Sequence, residues 1–290
     1  MELSARVAAW RDLGGDEQFD GRRIHVFARG GEGPLLLFLH GFPSSSYDWR
    51  ALLELESERA ALAPDFLGFG LSEKPRDHEY TLHWQADMVE DLVRRRGEAG
   101  PVFVVAHDMG TSVATELMAR DLDGSLGIEI AGVLLLNGSM VQDAASPTLG
   151  QRLLRSAVGP LFSRLSSERF FRQQFGSIFS PGHPLSEAEA EDQWALVCAD
   201  DGRTLSHKTI RYMEERFRHA ERWHGALRSW PGDLTIAWGM LDPVATERVL
   251  EAVLELRPAA GLTRFDDLGH YPQIEDPERV AGVLRGRISG

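Results

Sequence analysis

Short continuous apolar runs alternate with amphipathic stretches along most of this chain, and that alternation restricts the fold more than any other feature. Residues 35–39 (LLLFL), 102–106 (VFVVA), 130–136 (IAGVLLL) and 234–238 (LTIAW) have no polar alternation. Runs of this kind suit strands buried on both faces. Weaker candidates are 59–63 (RAALA), stopped by Pro64, and 262–265 (LTRF). Between them, 82–96, 110–120, 245–256 and 276–288 place apolar residues at helical spacing. Thr81 is a candidate cap for the first of these, and Asp276-Pro277 opens the last. Strand and helix in alternation predict an α/β fold with a mostly parallel sheet flanked by helices. The pattern lapses from about 140 to 230, where four helix-like pieces are separated by glycine and proline. The expected organisation is a core of 1–139 and 231–290 with an inserted helical cap, 140–230.

At 290 residues and 43% hydrophobic, the chain can bury a large core around one such sheet. Its net charge of −13 argues against nucleic acid or an anionic membrane surface as partner. Cys198 is the single cysteine, so no internal disulfide forms. No run approaches the ~18 apolar residues of a membrane span. The N-terminus shows no apolar leader, and a cytoplasmic protein is the expectation. The sequence carries no signal for oligomeric state.

Ligands of parallel sheets bind beyond the carboxyl ends of the strands. Residues 106–110, AHDMG, cross that edge between VFVVA and a helix, with Asp108 at the turn and Gly110 behind it. The stretch matches the nucleophile elbow G-x-S-x-G with Ala and Asp in place of Gly and Ser. Alone, an aspartate there reads equally well as a helix cap. Three further segments favour chemistry. HGFP at 40–43 follows the neighbouring strand, GMLDP sets Asp242 past another, and DLGHYP sets His270 after the last. Singly, Asp242 before proline is a turn former and His270 is one of ten histidines. Together they follow the order nucleophile, acid, histidine. Asn137, after LLL, is an alternative orienter for the histidine, less suited than Asp242 because it is uncharged.

HGFPSSSYDW (40–49), DFLGFGLSEKP (65–75), HDMG (107–110), GMLDPV (239–244) and LGHYPQIEDP (268–277) together resemble the α/β-hydrolase superfamily. The resemblance is strongest to its aspartate-nucleophile branch, the epoxide hydrolases and haloalkane dehalogenases, and within it to mesoderm-specific-transcript-like hydrolases. It implies that Asp108 attacks an sp³ carbon to give an alkyl ester, which water activated by His270 hydrolyses while Asp242 orients the ring. It also implies an oxyanion hole from the N–H groups of Phe42 and Met109. Tyr212 in the cap would be the acid for an opening epoxide. His40, Phe171 and Trp194 would line the substrate pocket. ERFFRQQF carries phenylalanines where the family usually has a second cap tyrosine. Met109 and Phe42 occupy positions where dehalogenases commonly carry a halide-binding tryptophan or asparagine. The expected activity is therefore hydrolysis of an apolar epoxide to a diol. A haloalkane dehalogenase, or a non-catalytic or ester-cleaving relative, is the alternative. The expected partners are a small apolar organic substrate and water. Neither a cofactor nor a metal is implied, since no His/Cys ligand cluster is visible in the sequence.

Overall fold

The computed structural model describes residues 3–96 and 100–288. Eight strands form one sheet: β1 (Gly15–Phe19), β2 (Arg22–Arg29), β3 (Glu32–Leu39), β4 (Arg59–Pro64), β5 (Val102–His107), β6 (Ile130–Leu136), β7 (Leu234–Gly239) and β8 (Gly261–Phe265). Their order is β1-β2-β4-β3-β5-β6-β7-β8. β3 to β8 run parallel, while β1 and β2 add an antiparallel edge. Residues 35–39 show why the continuous runs become strands. Leu35, Leu37 and Leu39 enter the core on one face, Leu36 and Phe38 the core on the other. With both faces covered, apolar residues are required at every position.

The hairpin β1–β2 is absent from the sequence expectation. β1 reads GDEQF and is mostly exposed, so it lacks an apolar signature. The available signal is Asp20-Gly21, which turns the chain with φ of +48° and +69°, as a tight hairpin turn requires.

The helices around the core are α1 (Ala5–Leu13), α2 (Arg50–Leu55), α3 (Leu82–Arg94) and α4 (Met109–Asp123). The insertion after β6 contains α5 (Leu149–Arg155), α6 (Gly159–Leu165), α7 (Glu168–Gly176), α8 (Glu187–Cys198), α9 (Ser206–Thr209), α10 (Tyr212–Arg218) and α11 (Ala220–Ser229). The core resumes with α12 (Glu247–Leu256), α13 (Pro272–Glu275) and α14 (Pro277–Ile288). Thr81 caps α3 by accepting the Trp84 N–H at 3.1 Å. α11 packs on α4 of the core; there Trp223 Nε1 donates to Glu116 Oε2 at 2.8 Å. Arg216 of α10 reaches Ser112 in the first turn of α4, so α10 crosses close to the start of that helix. Among the described residues no helix is long and apolar enough to cross a membrane.

Candidate active site

Asp108 sits between β5 and α4 with φ +44° and ψ −109°. Side chains rarely adopt such backbone geometry, which costs roughly 1–3 kcal/mol and needs enforcement by its surroundings. The enforcement is visible. Asp108 N donates to Asn137 O at 3.2 Å. Its carbonyl oxygen accepts from Thr111 Oγ1 at 2.6 Å and from Arg216 Nη2 at 2.8 Å. Gly110 is required because a Cβ there would lie 2.3 Å from the carbonyl oxygen of Leu39 on β3. Gly41 is required for a similar reason: its Cβ would meet that of Asp108 at 2.6 Å. The Asp108 carboxylate is buried; Oδ2 accepts the Phe42 N–H at 2.9 Å and faces the Tyr212 hydroxyl, its donor at 3.4 Å. Met109 is the first residue of α4, so its N–H has no partner within the helix.

His270 follows β8 and donates from Nδ1 to Asp242 Oδ2 at 2.6 Å. Three more donors hold Asp242. Asn137 Nδ2 reaches Oδ2 at 2.9 Å, and the N–H groups of Val244 and Ala245 reach Oδ1 at 2.7 and 3.0 Å. Asn137 thus anchors the aspartate and does not replace it beside the imidazole. Burial pulls the His270 pKa down, but the charge and hydrogen bond of Asp242, with a contribution from Asp108, outweigh it and leave the pKa raised. For Asp242, burial favours the neutral acid, yet His270 and the donor set hold its pKa below the usual value. His107, which no sequence signal singles out, donates from Nε2 to the carbonyl oxygen of His270 at 2.7 Å. Burial first, then His270, depresses its pKa to about 3, so it stays neutral. It ties the elbow to the histidine turn.

Tyr212 is fully buried, and burial followed by the Asp108 charge raises its pKa, so the phenol keeps its proton. One helical turn on, Arg216 is buried as well. It lies over the Tyr212 ring at 4.7 Å and donates from Nε to Ser112 Oγ at 2.8 Å. Its Nη2 stands 3.8 Å from Asp108 Oδ1. Arg216 escapes sequence reasoning because RYMEERFRHAER contains several arginines that look alike on a polar helix. Tyr271 also comes to the site from the core side, fully buried, its hydroxyl 3.5 Å from the Phe42 carbonyl oxygen that accepts from it.

An apolar cavity of about 100 Å³ opens beside Phe42 and His270, lined also by Phe171, Phe175, Trp194 and Val244 among others. It is large enough for several waters, but its walls favour an apolar occupant. Phe171 stacks on Phe175 and packs against Trp194, whose buried Nε1 has no hydrogen-bond partner. His40 departs from its expected place on the pocket wall. It is completely buried, donates from Nδ1 to Gly41 O at 2.8 Å and accepts the Phe66 N–H at Nε2, 2.9 Å away. Both ring nitrogens are used in shaping the loop that carries Phe42. His83, Glu215 and His219, separated in sequence, converge in space, and none of them lines the cavity.

A strained elbow on a parallel sheet, an oriented imidazole and an N–H aimed at the elbow carboxylate define an α/β hydrolase. The family model described as "Alpha/beta hydrolase family" matches residues 36–283, and the chain belongs to that family. It is 49% identical over 280 residues, 96% of each chain, to a Mycobacterium tuberculosis protein named "Putative hydrolase LipZ". It is 34% identical over 299 residues to the mesoderm-specific transcript homolog protein of Bos taurus, covering 99% of this chain and 89% of that one. Shorter stretches, each 33% of this chain, match a haloalkane dehalogenase of Bradyrhizobium diazoefficiens (40% identical over 98 residues, 31% of its length) and mouse epoxide hydrolase 3 (37% over 99, 27% of its length). Among solved structures, haloalkane dehalogenase DbeA from Bradyrhizobium elkani superposes with a TM-score of 0.80 at 22% identity, over 96% of this chain and 97% of that one, a likeness of fold.

Proposed function

We propose that this hydrolase opens an apolar epoxide to a diol through an alkyl ester on Asp108, with residues 140–230 acting as a cap over the core. The observation that carries the reading is the pairing at one carboxylate. Asp108 Oδ2 meets the Phe42 N–H and the Tyr212 hydroxyl, which leaves Oδ1 as the attacking oxygen. A carboxylate needs no base to attack an sp³ carbon. As the carbon–oxygen bond of the epoxide breaks, the alkoxide takes the Tyr212 proton. Timing favours this transfer. The Asp108 charge contributes to holding the Tyr212 proton, and ester formation removes that charge as the alkoxide appears. His270 then takes a proton from water, which adds to the ester carbonyl. The N–H groups of Phe42 and Met109 stabilise the oxyanion, each donor worth roughly 3–4 kcal/mol. Collapse expels the second alkoxide, which takes the proton held by His270 and leaves as the diol. The proton that the water leaves on the Asp108 carboxyl passes to the Tyr212 phenolate and restores both side chains. Asp242 balances the imidazolium.

A second reading, haloalkane dehalogenation, draws on the unpartnered Trp194 Nε1 in the cavity wall. Trp223 contributes nothing to it, since its N–H is committed to Glu116. Turnover of styrene-type epoxides, alkyl halides and simple esters in ¹⁸O-water, followed by mass spectrometry of the active-site peptide, tests both. Label accumulating in Asp108 during epoxide turnover is the expected result. An unlabelled Asp108 after many turnovers refutes the ester route, and faster turnover of halides favours the second reading.

A further inference from the structure

We propose that His83, Glu215 and His219 bind a divalent transition-metal ion of the zinc class, joining α10 to α3. One ligand atom from each lies within 4.8 Å of the others. Glu215 and His219 stand one helical turn apart and so project from the same side of their segment. His83 comes from the first turn of α3 and faces His219 with ring centroids 4.5 Å apart. Neither imidazole makes a hydrogen bond among the described residues. Two imidazoles and a carboxylate are an established zinc donor set, with a water completing the tetrahedron.

The surroundings support a three-ligand site. The Glu116 carboxylate approaches it, with Oε2 lying 3.6 Å from His83 Nε2. Glu116 is already engaged by Arg120, Arg222 and Trp223, so it stands outside the ligand set. Glu215 Oε2 accepts the Leu82 N–H at 2.9 Å, which orients the carboxylate as outer hydrogen bonds orient metal ligands. Trp223 packs against both imidazoles, at 5.9 Å from His83 and 5.2 Å from His219. Zinc–ligand distances of about 2.0–2.1 Å imply ligand atoms about 3.3 Å apart, within reach by rotation of the partly exposed imidazoles. A bound ion would restrain the helix that carries Tyr212 and Arg216.

The test is calorimetric titration of zinc chloride into the chelator-stripped full chain, with cobalt(II) absorption as a second readout. One equivalent should bind, the melting temperature should rise, and cobalt should give tetrahedral d–d bands. His83→Ala and His219→Ala should each weaken zinc binding by about tenfold or more, while His183→Ala, outside the cluster, should leave it unchanged. Zinc should also shift the imidazole NMR signals of His83 and His219 in the unaltered chain, a readout independent of variant folding. Unshifted signals for these two residues, or zinc affinity that survives in both folded alanine variants, overturns the proposal.

Discussion

Replacing Tyr212 by phenylalanine separates the proton-donating role proposed for this residue from its packing. The ring stays in place, still beneath the Arg216 guanidinium at 4.7 Å and against Phe42 at 5.9 Å. What disappears is one hydroxyl, 3.4 Å from Asp108 Oδ2. That distance exceeds the usual ~2.5–3.0 Å of an O–H···O bond, so the loss of folding stability should stay at about 1 kcal/mol or less. The catalytic loss should be far larger. A positioned acid contributes roughly 10²–10⁴-fold, or about 2.7–5.5 kcal/mol of barrier. Rapid-quench kinetics on a styrene-type epoxide separates ester formation from ester hydrolysis. Formation should slow at least about 100-fold, while hydrolysis, which depends on His270, should keep its rate. An alkyl halide, whose leaving group needs no proton, should react nearly as before. Equal losses on epoxide and halide, or unimpaired ester formation from the epoxide, would refute the assignment.

Three other perturbations test the surrounding network. His270 must be neutral to accept a proton, and its pKa is raised, so ester hydrolysis should climb with pH through a midpoint above the ordinary ~6.5; Asp242→Asn should move that midpoint down and cut kcat by roughly 10³–10⁴, as read from pH–rate profiles. Arg216→Met removes short bonds to Ser112 Oγ and to the strained Asp108 carbonyl, and urea unfolding should show a loss of about 3–5 kcal/mol. Lysine should not restore it, because one ammonium cannot span both acceptors. Asp48 is buried beside Ser44 and Gln193, and burial raises its pKa to about 7. The folded chain therefore keeps a proton that the unfolded chain loses near pH ~4, so stability should fall as pH rises from about 4 to 7, by at most about 4 kcal/mol. Asp48→Asn should flatten that dependence in urea melts at about pH 5 and 8; an unchanged slope would contradict it.

Much of the architecture is legible in the chain because its causes are local. A strand covered on both faces must be apolar at every position, so β3, β5, β6 and β7 announce themselves. A helix that starts against a neighbouring strand needs Gly110, and the elbow sequence follows. The order Asp108, Asp242, His270 is likewise a property of the chain. β1 is illegible for the converse reason: an exposed edge strand has no apolar face to display, and only Asp20-Gly21 marks it.

What the sequence determined by itself is the alternation of elements, the turn at Asp108 and the residues able to carry its chemistry. Tertiary packing alone decided that Arg216 rather than a neighbouring arginine goes under the elbow, that His40 serves the loop instead of the pocket, and that His83 meets His219. The reason is physical. Periodicity and steric need act over a few residues, whereas a hydrogen bond between groups far apart in the chain exists only once the intervening elements have packed.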